Sequence, residues 1–189
     1  MYKRQVVQCV AKFVKNYVGG APYYNGAIDI LTCDAIHAVD ILRWIGGEVK
    51  DVASDIDSFY ADYNNTFNAL LKFEHGCIGI LLTNWTAGKR IFAVEIYGKG
   101  IHAYVDPEDK AVIYKDNDDK PEVISVTDIF KNAQLYQYAG FLQENRHFID
   151  CIKAGKQPRT NFGDAVKTME LVDWIYRAEI SKNDKDRNS

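Results

Sequence analysis

The sequence predicts an α+β fold: a mainly antiparallel, open-faced sheet with helices packed on one face and an oligomer interface on the other. Three observations carry this reading. Segments rich in β-branched residues, separated by short polar or glycine turns, fill the middle of the chain. Helical periodicity is confined to one early segment and two at the end. Residues 77–83 are apolar on both faces, Ile78, Ile80 and Leu82 against Cys77 and Leu81. A sheet covered on one side alone alternates apolar with polar, so the second face is expected to be covered by another subunit.

Each element follows in order. Residues 5–14, QVVQCVAKFV, are short and β-branched, which reads as a strand. The stretch GGAPYYNG at 19–26 is turn chemistry. From Ile28 to Ile45 the apolar residues Leu31, Ala35, Ala38, Leu42 and Ile45 recur every three or four positions, a helix stopped by Gly46-Gly47. Strands are expected at 49–59, 66–73, 77–85, 90–97, 101–105, 111–115 and 122–126, with a hairpin at Gly98-Lys99-Gly100. Two helices close the chain. Residues 138–153 align Phe141, Phe148 and Ile152, and 162–180 align Ala165, Met169, Val172 and Tyr176. Asn161 suits an N-cap, and Asp164 suits the positive end of the second helix. The tail SKNDKDRNS, 181–189, is charged without apolar anchors and is expected to be disordered, leaving 1–180 as one domain.

Composition narrows the function classes. With 47% hydrophobic and 26% charged residues the chain is an ordinary soluble globular protein. A net charge of -3 and the lack of a basic run argue against nucleic acid and anionic membranes. No apolar stretch approaches the roughly 20 residues of a membrane span, and Lys12 and Lys15 interrupt the early apolar run too soon for a signal peptide. Four cysteines scattered singly in apolar segments point to reduced thiols and a cytoplasmic location.

Chemistry concentrates in TCDAIHAVDILRWIGGE, 32–48. His37 lies three residues from Asp34 and three from Asp40. On a helix three residues rotate by about 300°, so the trio forms one inclined row. A carboxylate beside an imidazole fixes its tautomer and favours its protonated form, which suits a general acid or base. The same row also suits a packed helix that satisfies one histidine, with Asp34 serving only the helix start. Metal ligation is the weakest option, with no His-x3-His pair and no Cys/His cluster. There is no Gly-x-Ser-x-Gly elbow. Gly98-Lys99-Gly100 lies between strands with no third glycine, so no dinucleotide turn or P-loop is present. Lys89-Arg90, His75, His102 and the Glu144–His147 cluster read as surface groups, and Trp85 and Tyr24 as core or interface aromatics rather than sugar-stacking ones.

The run AIHAVDILRWIGGEV, followed in order by NTFNALLKFEHGCIGILLTNW, GFLQENRHFIDCIKAGKQP and NFGDAVKTMELVDWIY, resembles the C-terminal domain of the glucose-fructose oxidoreductase, inositol dehydrogenase and MocA-like family. The resemblance spans nearly the whole chain. It implies the substrate-binding and oligomerisation domain of a two-domain NAD(P)-dependent oxidoreductase acting on a sugar, cyclitol or related polyol. By that resemblance His37 is the proton-relaying catalytic residue, with Asp34 as its partner. Lys15, Asn16 and Asp40 would contact substrate hydroxyls or orient the histidine. The partners implied are a polyol or sugar, an N-terminal Rossmann domain, and further copies in a homodimer or homotetramer. NAD or NADP would be bound in the full-length protein and not by this fragment, which lacks the Rossmann domain. The sequence departs from the family at one place: the aspartate usually found four residues before the histidine is Cys33 here. Asp34 is rotated from that position by about 100°, and a local irregularity of the helix would be needed to bring it in. Two rival readings stay open: a non-catalytic self-associating module, and a stand-alone lyase or isomerase using His37 with Asp34 or Asp40.

Overall fold

In the computed structural model, which describes residues 6–129 and 134–180, eight strands form one sheet. The strands are β1 (Val6–Asn16), β2 (Val49–Asp57), β3 (Thr66–Phe73), β4 (Ile78–Asn84), β5 (Thr86–Gly98), β6 (Ile101–Val105), β7 (Lys110–Lys115) and β8 (Glu122–Ser125). Their spatial order is β2-β3-β4-β1-β5-β6-β7-β8. β1 pairs in parallel with β4, and every other neighbour is antiparallel. The first strand therefore lies in the middle of the sheet. The helices are α1 (Ile36–Gly46), the single turns α2 (Val126–Ile129) and α3 (Leu135–Tyr138), then α4 (Phe141–Lys153) and α5 (Phe162–Arg177). The tail 181–189 lies outside the described residues.

Alternation in β1 and β3 sends Cys9, Ala11, Phe13, Phe67, Leu71 and Phe73 to the helix side, where all are buried. α1 answers with Ala38, Val39 and Leu42, and α5 with Leu171, Val172 and Ile175. Burying one such large side chain is worth about 1.5–3 kcal/mol. α1 approaches the sheet closely because Gly46 and Gly79 carry no side chain. A Cβ added at either would lie 2.4 or 2.7 Å from the Phe73 ring. Gly47, at φ 86°, then ends the helix, and its N–H donates to the Arg43 carbonyl at 2.8 Å.

Three expectations change. The helix expected from 28 to 45 begins as a π-helical turn, Leu31–Ala35, before becoming α-helical. The helix expected over 138–153 is broken at Gly140, φ 90°, and its Phe141, Phe148 and Ile152 stripe is exposed, with only Cys151 buried. In α5 the buried set is Thr168, Leu171, Val172 and Ile175, so Ala165 and Met169 face outward. The opposite face of the sheet is open: Ile78, Ile80 and Leu82 are half-buried and Leu70 is exposed.

Candidate functional site

Trp85, between β4 and β5, is 1% exposed and ties together the loops at one end of the sheet. Its backbone N–H donates to Asn65, at the end of the 58–65 loop, at 2.9 Å. Its carbonyl accepts from Tyr17, at the end of β1, at 2.9 Å. Its indole N–H donates to the Tyr23 hydroxyl at 2.9 Å. Tyr23 in turn donates to Asp34 Oδ2 at 3.1 Å, and the Lys15 ammonium pairs with the same oxygen. Lys15 Nζ also lies 5.1 Å from the Phe13 ring centroid and 5.6 Å from that of Trp85, where the negative ring faces favour a cation. Burial pushes the Tyr23 hydroxyl up to about 12; the indole bond works against this and the Asp34 charge adds to it. Tyr23 is thus a protonated donor throughout the physiological range.

The loop before α1 is shaped by turn residues. Gly20 lies flat against the Tyr17 ring, which a Cβ would meet at 2.4 Å. Tyr24, Asn25 and Gly26 take left-handed backbone in succession, at φ 50°, 56° and 83°. Asp29 then starts the helix: its carboxylate accepts from Thr32 N at 2.9 Å and Thr32 Oγ1 at 2.7 Å.

His37 stands on the other side of the helix start. Its ring is exposed and lines a cavity of about 750 Å³ with Ile36, Asp40, Phe148, Phe162, Asp164 and Met169 among its walls. Among the described residues it makes no hydrogen bond or ion pair. Asp40 Oδ1 accepts from Thr168 Oγ1 at 2.6 Å, and Thr168 Oγ1 accepts from Arg43 Nε at 3.0 Å. Arg43 also pairs with Asp164, in the first turn of α5. The Asn161 side chain caps that helix by accepting from Asp164 N at 3.2 Å.

Residues 29–101 match the family model of the GFO/IDH/MocA C-terminal domain. Levoglucosan dehydrogenase, in complex with NADH and levoglucosan, superposes with a TM-score of 0.79 at 13% identity, over 92% of this chain and 56% of that one. This is the fold of the GFO/IDH/MocA C-terminal domain. The dehydrogenase MviM from Clostridium difficile aligns at TM-score 0.75 and 20% identity, over 94% of this chain and 56% of its own. UDP-N-acetylglucosamine 3-dehydrogenase GnnA from Acidithiobacillus ferrooxidans gives 0.75 and 16%, over 93% and 54%. The chain thus spans little more than half the length of these proteins. No curated protein matches it in sequence. The family resemblance read from the sequence is borne out.

Within this domain four of the five site residues expected from sequence divide into two pairs, and Asn16 stands apart. Lys15 and Asp34 meet at the Tyr23–Trp85 cluster, while His37 and Asp40 share the cavity. Asn16, the last residue of β1, is exposed and reaches the Gly88 carbonyl at 3.5 Å. The helix irregularity is real, but it turns Asp34 toward Lys15. A π turn closes i→i+5 bonds, so each residue advances by less than the roughly 100° of an α-helix, and a residue three before His37 moves away from its face. Sequence reasoning missed Tyr23, Asp29 and the hub role of Trp85; the turn composition at 19–26 was the one signal near them. His102, expected as a surface group, stacks on Tyr97 with ring centroids 4.6 Å apart. Arg90, expected at a strand start, lies within β5 over the Phe13 ring, at 5.2 Å, and pairs with Glu108.

The glycine-rich segments among the described residues do not form a dinucleotide-binding turn. Gly98-Lys99-Gly100 is a hairpin between β5 and β6, and the glycines before α1 pack on Tyr17 or sit in the left-handed turn rather than clearing a phosphate cradle. No three His, Cys, Asp or Glu side chains among the described residues are grouped to hold a metal ion. The four cysteines are free; Cys9 and Cys77 lie with sulfurs 4.0 Å apart in the core, where burial pushes the Cys9 thiol up to about 12. No described helix is long and apolar enough to cross a membrane.

Proposed function

We propose that this chain is the substrate-binding and self-associating domain of an NAD(P)-dependent oxidoreductase that acts on a sugar, cyclitol or related polyol. The observation that carries the proposal is an exposed, unpartnered imidazole in the first turn of α1. It sits beside a large cavity, in a fold shared with a levoglucosan dehydrogenase complexed with NADH. In this reading the polyol hydroxyl gives its proton to a His37 ring nitrogen as the carbinol C–H departs as hydride, leaving a carbonyl. NAD(P), held by a part of the full-length protein outside this domain, supplies hydride acceptance. Lys15 and Asn16 orient hydroxyls from the end of β1. Asp34 holds Lys15 in place, and Asp40 fixes the His37 side of the cavity through Thr168 and Arg43.

The experiment is His37→Ala in the full-length protein, assayed by NAD(P)H absorbance with polyol substrates. Turnover should fall by about 100-fold or more, the usual worth of a positioned acid or base. Thermal unfolding should not change, because the ring is exposed and bonded to nothing. Unchanged turnover removes the catalytic role. That outcome would favour a second reading, a binding module without chemistry. The observation behind it is that Asp34 is held by Lys15 and Tyr23, leaving His37 without a carboxylate orienter.

The open face of the sheet supports self-association. One register row runs from Leu70 through Ile80, Val10, Tyr104 and Val112 to Val123, apolar apart from Glu95. An exposed row that is apolar on both sides of Glu95 suits an interaction surface, and a second copy would supply a matching row.

A further inference from the structure

We infer that two copies of this chain meet face to face through a reciprocal ion pair, Lys12 of each copy with Glu95 of the other. The inference rests on the self-association reading above and names the contact that fixes its register. β1 and β5 are the fourth and fifth of the eight strands, so both side chains stand near the centre of the open face. Alternation puts Lys12 on that face with Val10 and Val14, opposite the buried Ala11 and Phe13. Its register partners are Leu82 on β4 and Ala93 on β5. Glu95 lies between Val10 and Tyr104. Each of the two charged residues is partly buried among these neighbours.

Within one copy neither charge is balanced. Glu95 Oε2 accepts from the Tyr97 hydroxyl, which pins the carboxylate on the face and leaves Oε1 without a partner among the described residues. Lys12 makes no ion pair or hydrogen bond among the described residues, although its strand neighbours that of Glu95. A lysine at a rim would turn its ammonium to water. In a contact covering this face the nearest rim is about 13 Å or more away, three strands to one side and four residues along β1. Both charges then lose water, and an unpaired charge in a covered contact opposes association. A second copy related by a two-fold axis presents the same surface, so when Lys12 of one copy meets Glu95 of the other, the reverse contact follows by symmetry. One axis near the centre of the face therefore balances all four charges. The pairing also sets the register, which aliphatic side chains leave free to slide. A different partner would need a cation and an anion at this same spacing; a second copy carries them already.

The experiment measures the self-association constant by sedimentation equilibrium for the parent, Lys12→Glu, Glu95→Lys, an equimolar mixture of these two, and the chain carrying both changes. Circular dichroism checks that each is folded. A single reversal sets like charges against each other twice and should weaken self-association by about tenfold or more. In the mixture, each variant carries the charge the other lacks, so the two should associate with each other to within about threefold of the parent. The doubly changed chain should match the parent as well. Recovery in the mixture marks a pair between copies, because mixing does not restore a pair within one copy. If a reversed chain does not fold, Lys12→Gln and Glu95→Gln take its place: added salt should weaken the parent and leave both Gln chains unchanged, and an equal salt response overturns the pair. Single reversals that associate as the parent does, or a mixture as weak as its components, overturn the ion pair and leave self-association standing. A parent that stays monomeric at high concentration removes both.

Discussion

Asp29 shows how much one side chain can hold without announcing itself. Its carboxylate accepts three bonds, two from Thr32 and one from the Tyr176 hydroxyl at 2.6 Å, joining the start of the first helical segment to the end of α5. Partial desolvation acts to raise its pKa, but the bonds from Tyr176 and Thr32 outweigh it and hold the carboxyl below its ordinary value of 3.8. Tyr176 is pushed far up, first by burial and then by this bond, and so remains a donor. A carboxyl with a depressed folded-state pKa contributes stability that is present above 3.8 and lost as pH falls through the lower folded value. Stability measured by urea unfolding should therefore drop below about pH 4 in the parent chain, and part of that drop should vanish in Asp29→Asn. An identical acid limb in both proteins would show that Asp29 contributes nothing to it. At this scale His37 was legible as a candidate, because its spacing from Asp34 and Asp40 follows from one helix; its exposure was not. The partner of Asp34 was not: Lys15 lies on β1, 19 residues away, and a π turn reverses the expected direction.

At the scale of elements, local chemistry and long-range packing can be told apart. Gly47 ends α1 at φ 86°, where an L side chain is strained, so Gly47→Ala should cost about 1–2 kcal/mol. The shift should appear in the denaturation midpoint with the slope unchanged. A Gly47→Ala chain as stable as the parent would mean that the helix ends by other means. All eight strands lie where alternation and turn residues put them, with end shifts of up to four residues, as at β5, because strands of this sheet carry strong local signals. The stripes of α4 and α5 were harder. Each helix carries enough apolar residues for more than one stripe, and periodicity alone does not say which stripe meets the sheet. In α5 the choice falls on Thr168 because its hydroxyl is held between Arg43 and Asp40. In α4 only Cys151 is buried, and Phe141, Phe148 and Ile152 stay exposed.

For the whole molecule, the open sheet face is the feature with the largest consequence. Leu70, 45% exposed at the β3 end of the apolar row, is a position where a charge is disruptive to a second copy and harmless to the core beneath. Leu70→Glu should shift the chain toward monomer in light scattering at high concentration, with its circular dichroism unchanged. A parent chain that is monomeric throughout would remove the self-association proposal. By itself the sequence determined the α+β class, the strands, the glycine stops and the family resemblance, since each depends on residues close together along the chain. Only the tertiary structure decided that β1 sits at the centre of the sheet, that Asp34 faces Lys15 rather than His37, and that Trp85 joins the segment after β1 to the 58–65 loop. Those outcomes depend on which distant side chains compete for the same space and the same hydrogen-bonding groups, and no local pattern encodes the winner of that competition.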